Sequence, residues 1–142
     1  MKIRLLAFRR MTIVCTAVIV AVGITLALGV IQPVKAEAQR GDTKPVAVQA
    51  FWANIALNVS LAAILIITAI RSEGQTWSPT PIFIIVGSVV SLLGLLLIDA
   101  ASAYMDHGAA MQKVSILLYI CTVADFLAGI TVITTAFLRP IK

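Results

Sequence analysis

One acidic residue stands at a position where its chemistry should matter. Asp125 lies 12 residues after Lys113 and 14 before Arg139, inside an otherwise uncharged apolar stretch. In a membrane-spanning helix, an acid at this depth costs about 2.5–3.5 kcal/mol on insertion scales, so it should face other helices or water. No lysine or arginine interrupts the apolar stretches, so we expect a neutral, protonated Asp125 that donates a hydrogen bond. Two roles follow: a carboxyl that binds a proton or cation, or a structural donor within the bundle or toward a partner subunit.

Other polar residues lie at a matching depth and could contact this acid. Asn58, Ser91 and Thr25 each fall near the middle of an apolar stretch. Asn54 precedes Asn58 by four residues and therefore shares its helix face. Hydrogen bonds between membrane helices contribute about 0.6 kcal/mol on average. The pattern predicts a midplane layer of these side chains with Asp125, which holds helices together at least and is the candidate proton or ion site.

The remaining chemistry-bearing side chains do not form a recognisable site. Cys15 and Cys121 are isolated in apolar runs, outside any C-x-x-C pair, which is typical of packing residues. His107 is the sole histidine, so this chain alone cannot provide bis-histidine haem ligation. Asp99, Asp106 and His107 are too few and too loosely spaced to predict a metal centre. We therefore expect no catalytic residue, no metal and no cofactor, while lipid, quinone or pigment binding stays open.

Four apolar stretches must position these residues. The chain is 61% hydrophobic and 12% charged, whereas soluble domains have about 45–50% apolar and about 25% charged residues. Each stretch has close to the ~20 residues that a helix needs to cross a hydrocarbon core of ~30 Å. None alternates polar with apolar residues, as a membrane strand would. The sequence predicts one all-α domain over 1–142, an up-down four-helix membrane bundle with spans near 11–31, 51–70, 82–103 and 114–138.

The first span has an alternative interpretation. A basic start, an apolar run and the small residues around 36–38 resemble a signal peptide, and cleavage there would leave three spans. The apolar run is 21 residues long, whereas a cleaved signal has about 7–15. We favour a retained helix.

The basic residues predict an orientation. Seven lie on the side of the termini and four on the opposite side, which places both termini in the cytoplasm of a multi-pass cell-membrane protein, most simply a bacterial inner-membrane protein. The seven are Lys2, Arg4, Arg9, Arg10, Arg71, Arg139 and Lys142, and the four are Lys35, Arg40, Lys44 and Lys113. Because these charges flank apolar runs and form no patch interleaved with aromatic residues, nucleic-acid binding is not expected.

The function predicted from these features is non-enzymatic. Short loops and missing motifs favour an accessory or assembly subunit that contacts other membrane subunits within the lipid bilayer. The alternative is a small proton- or cation-coupled transporter that uses Asp125.

Overall fold

The computed structural model describes residues 2–41, 45–72, 80–105 and 108–137. All regular structure within these residues is helical: α1 (Lys2–Thr25), a π-helical turn (Leu26–Val30), α2 (Ile31–Gln39), α3 (Pro45–Ser72), α4 (Thr80–Tyr104) and α5 (Ala109–Ala136). Because α1, the π turn and α2 form one continuous helix, the described part of the chain has four helices long and apolar enough to cross a membrane. The predicted all-α, four-span bundle is confirmed. The membrane side on which the termini lie stays a prediction.

The first spanning helix extends further than the sequence suggested. Its apolar segment is Leu6–Gln39, whereas the predicted span ended at residue 31 because Pro33 was interpreted as a helix breaker. Proline has no N–H, and its ring crowds the carbonyl four residues earlier, which is that of Gly29. The π turn contains Gly29 and ends at Val30, three residues before Pro33, and it accommodates this defect, as local π adjustments do in membrane helices. Gly29 also lets the turn pack on α5, since a Cβ there would lie 3.0 Å from Leu117 Cδ1.

The buried apolar side chains divide into two clusters along the bundle axis. The terminal cluster lies at the end where α1 begins and α5 ends, and the loop cluster lies at the opposite end. Aromatic pairs occur in both: Phe8 stacks on Phe83 with ring centroids 5.6 Å apart, and Phe51 contacts Tyr104 at 6.4 Å. The terminal cluster comprises Phe8, Cys15, Ile19, Leu61, Ala62, Leu65, Phe83, Val86, Val90, Leu93, Ala128, Val132 and Ala136. The loop cluster comprises Val22, Leu26, Val30, Ile31, Val34, Phe51, Leu97, Ala101, Tyr104, Met111, Val114, Leu118 and Cys121.

Helices α4 and α5 approach each other most closely, because glycines line their interface. A Cβ on Gly87 would lie 2.6 Å from the carbonyl oxygen of Gly129, so the two backbones are in contact there. A Cβ on Gly94 would lie 3.0 Å from the Cβ of Asp125. Small residues at this spacing permit close packing of membrane helices. Here they bring α4 into close contact with α5, the helix that carries Asp125.

Serine hydroxyls add hydrogen bonds across the same interface. Ser115 donates to the carbonyl of Ala101, Ser91 Oγ donates to the Phe126 carbonyl oxygen at 3.5 Å, and the Ser102 and Tyr119 hydroxyl oxygens are 3.2 Å apart. The α4–α5 pair is thus fixed by backbone contact and by side-chain bonds.

Candidate functional site

Asp125 lies in the gap between the two apolar clusters. On α5, Cys121 belongs to the loop cluster and Ala128 to the terminal cluster, and Asp125 stands between them with 0% of its surface exposed. Neither carboxyl oxygen has a hydrogen-bond partner among the described residues. The acid is therefore enclosed by the helices of its own chain, and its hydrogen-bonding capacity is unused.

Helix α3 carries two asparagines, Asn54 and Asn58, in its segment between the two apolar clusters. Asn58 is 0% exposed and Asn54 is 8% exposed. Asn58 Nδ2 donates to Asn54 Oδ1 at 2.7 Å and to the Asn54 carbonyl oxygen at 3.0 Å. This bonding commits the amino group of Asn58 to its own helix and leaves Asn58 Oδ1 buried without a partner in the described chain.

The Asn58 side chain is close enough to the Asp125 carboxyl to interact with it electrostatically, although no hydrogen bond of standard geometry joins the two groups. Asp125 and Asn58 thus leave three buried oxygens without partners in the described chain, two from Asp125 and one from Asn58. Together with Asn54 they form what we term the polar layer: Asp125, Asn58 and Asn54.

The chemistry of the polar layer favours a proton. A neutral carboxylic acid has one O–H donor, which Asn58 Oδ1 can accept, whereas an ionised carboxylate can only accept and would oppose another acceptor. No lysine or arginine occurs in the apolar stretches that carry these residues. A Ca²⁺ ion takes about 6–8 oxygen ligands, more than the three available oxygens. No group of three or more His, Cys, Asp and Glu that could hold a metal occurs within the described residues.

A groove between α3 and α4 leads from the bundle surface to the polar layer. It has a volume of about 410 Å³ and is lined by both Asp99, which is exposed, and Asn54, which is buried. The groove opens at the end of the bundle that holds the loop cluster. Its other lining residues are Ala47, Ala50, Phe51, Leu96, Leu97, Ala100, Ala103 and Tyr104. The groove reaches Asn54, which accepts the hydrogen bond from Asn58, whereas Asn58 and Asp125 are not part of its lining.

Between the polar layer and the terminal end, apolar side chains fill the interior of the bundle. Leu61 and Leu65 follow Asn58 on α3, and Val90 and Leu93 pack beside them from α4. All four are buried. The polar layer therefore has an open groove toward the loop-cluster end, with Asp99 and Asn54 among mostly apolar lining residues, and a closed apolar core toward the terminal end.

The structure places Ser91 and Thr25 outside the polar layer. Ser91 is half-buried at the α4–α5 interface, where its hydroxyl donates to the carbonyl of Phe126, the residue after Asp125. Thr25, at the end of α1, donates to the carbonyl of Ala21 at 2.9 Å within its own helix. Asp106 and His107, considered above as metal ligands, lie outside the described residues.

Two features of the site were not identified from the sequence. Gly94, which gives α4 its close approach to Asp125, continues the row of small residues through Gly87 and Ser91 at helical spacing, and that row could have identified it. Asp99 was considered only as a metal ligand, because a groove between two helices has no signature in either helix alone. No protein-family model, curated protein or solved structure matches this chain.

Proposed function

We propose that this membrane protein binds and releases a proton at Asp125 and works as a small proton-coupled carrier. The observation that carries the proposal is a fully buried carboxyl without a hydrogen-bond partner in the described chain, together with an unpartnered amide oxygen on Asn58, a residue hydrogen-bonded to the groove-lining Asn54. Ionisable residues inside a membrane bundle are costly, and they commonly mark ion or proton pathways.

The polar layer has two hydrogen-bonding arrangements that differ by one proton. With Asp125 protonated, its O–H donates to Asn58 Oδ1 while Asn58 Nδ2 donates to Asn54. When a water molecule enters from the groove as far as the carboxyl and takes its proton, a half-turn of the Asn58 amide directs Nδ2 to the carboxylate and Oδ1 to Asn54. Asn54 then turns its own Nδ2 toward Asn58. Because Asn54 lines the groove, the charge of Asp125 alters the polar group that the groove presents to a transported solute.

The proposal is tested by proton flux into liposomes that contain the purified protein and a pH-sensitive dye. We expect an imposed pH gradient to decay faster with the wild-type protein than in empty liposomes, and Asp125→Asn to remove the difference. Glu37→Gln is the matched control, since Glu37 is also a buried acid but forms an ion pair with Arg40 at 3.1 Å, outside the polar layer. Wild-type flux that persists unchanged in Asp125→Asn would exclude Asp125 as the proton site.

A second candidate function is the accessory or assembly subunit predicted from the sequence. The apolar barrier of the terminal cluster favours it, since a carrier must open its site to both sides whereas a subunit need not. Purification in a mild detergent followed by mass spectrometry distinguishes the two. A stoichiometric membrane partner, together with no wild-type proton flux, would favour the subunit over the carrier.

A further inference from the structure

A second groove lies between α1 and α3, on the surface that faces lipid. Its volume is about 720 Å³. Along α1 it extends from Arg9 to Ile24, which is about 22 Å at 1.5 Å per residue. Its other lining residues are Thr12, Ile13, Thr16, Ala17, Val20, Ala21, Ile66, Ala69 and Ile70. It contains no residue of the polar layer, so what it binds is a question separate from the role of Asp125.

Small and branched side chains give the groove its shape. Ala17 and Ala21 form a depression on α1, and Ile66 and Ile70 of α3 project beside it with 43% and 66% of their surfaces exposed. The walls are almost entirely apolar. One leaflet of a hydrocarbon core is about 15 Å deep, so the groove can hold the full length of one acyl chain.

Arginines at one end of the groove distinguish it from an ordinary lipid-facing surface. Arg9 is part of the lining, while Arg10 and Arg71 are exposed and adjacent in sequence to the lining residues Arg9 and Ile70. A guanidinium presents several N–H donors in a geometry that suits phosphate oxygens. Basic pockets between membrane helices bind the headgroups of anionic lipids.

We propose that the α1–α3 groove binds one anionic phospholipid, with the headgroup phosphate at Arg9 and an acyl chain along α1 toward Ile24. The positive charge of the arginines favours an anionic lipid over the other possible occupants of the groove. A free phosphate would gain nothing from the apolar walls, and a lipid without net negative charge would gain less from the arginines. A partner helix would fill the apolar part but needs no basic end.

Native mass spectrometry of the full chain in detergent tests the proposal, with phosphatidylglycerol and phosphatidylcholine supplied in equal amounts. We expect a one-to-one adduct of phosphatidylglycerol. Arg9→Gln should lower the retained fraction roughly fivefold, which corresponds to the ~1 kcal/mol of one basic residue near an anionic surface. Ala17→Phe should lower it by filling the groove. The matched controls are Lys113→Gln, an exposed base at the far end of the bundle, and Ala56→Phe, an exposed alanine outside the groove; both should retain the adduct.

Three results would overturn the proposal. Equal retention of the two lipids would show that charge does not select the occupant. An equal loss in Lys113→Gln and Arg9→Gln would show a general effect of surface charge. A co-purifying protein that is lost in Ala17→Phe, with no lipid adduct in the wild type, would assign the groove to a partner helix.

Discussion

Asp125 contributes to packing whether or not it exchanges a proton, and substitution can separate the two roles. Asparagine keeps the size and one hydrogen-bond donor of the side chain but cannot ionise. We expect Asp125→Asn to change the free energy of unfolding by about 1 kcal/mol or less, the net value of a neutral hydrogen bond. Thermal unfolding in detergent measures this.

Leucine at the same position is the comparison. Asp125→Leu removes the only group that can donate to Asn58 Oδ1 in the arrangement proposed here, so the amide oxygen stays buried without a partner. We expect a loss of about 1–3 kcal/mol, the cost of one buried unsatisfied polar group. If asparagine were as damaging as leucine, Asp125 would not act as a neutral donor in the folded protein.

At the scale of the elements, the α4–α5 interface depends on glycines. The Cβ introduced by Gly129→Ala would overlap the Ser91 hydroxyl and the backbone of Gly87. We expect a loss of about 1–3 kcal/mol, the usual cost of overpacking, measured as a lower unfolding temperature.

Gly23→Ala provides the matched control for this substitution. The nearest atom to its Cβ is Val59 Cγ2 at 3.9 Å, an ordinary contact. This variant should unfold like the wild-type protein or later, since alanine favours helix over glycine. Equal effects of the two substitutions would mean that the backbones of α4 and α5 are not in contact.

The sequence predicted the helices, but it did not predict the groove between α3 and α4. Hydrophobic runs of about 20 residues predict membrane helices because one helix satisfies its own backbone hydrogen bonds. The depth of Asp125 and Asn58 could be counted from the ends of their runs. The prediction that the first span ends before Pro33 was wrong, because a proline ends a helix only where the preceding turn cannot adjust, and here a π turn precedes it. The groove beside Asn54 depends on the separation of α3 and α4, which side chains of several helices determine together.

At the scale of the whole molecule, the two ends of the bundle differ. The start of α1 and the end of α5 lie at the same end, since four spans alternate in direction. Cleavage near residues 36–38 would remove Phe8, Cys15 and Ile19 from the terminal cluster and Val22, Leu26, Val30, Ile31 and Val34 from the loop cluster. Retention of the first span stays a prediction.

We predict that both termini lie in the cytoplasm, because seven basic residues flank the spans on that side and four on the other. Topology reporters fused after Lys142 and inserted at Gly41 should report opposite sides of the membrane, with the first in the cytoplasm. An external C-terminus would contradict the orientation, and with it either the four-span count in the cell or the retention of the first helix.

The central claim, that Asp125 exchanges a proton through the α3–α4 groove, is tested most directly by infrared spectroscopy of the protein in lipid. We predict a protonated-carboxyl C=O band that shifts when H₂O is replaced by D₂O and is absent in Asp125→Asn. In Asn54→Leu, which puts an apolar side chain in the groove wall, the shift should occur more slowly. A band that is unchanged in Asp125→Asn, or one that shifts equally fast in Asn54→Leu, would contradict the account.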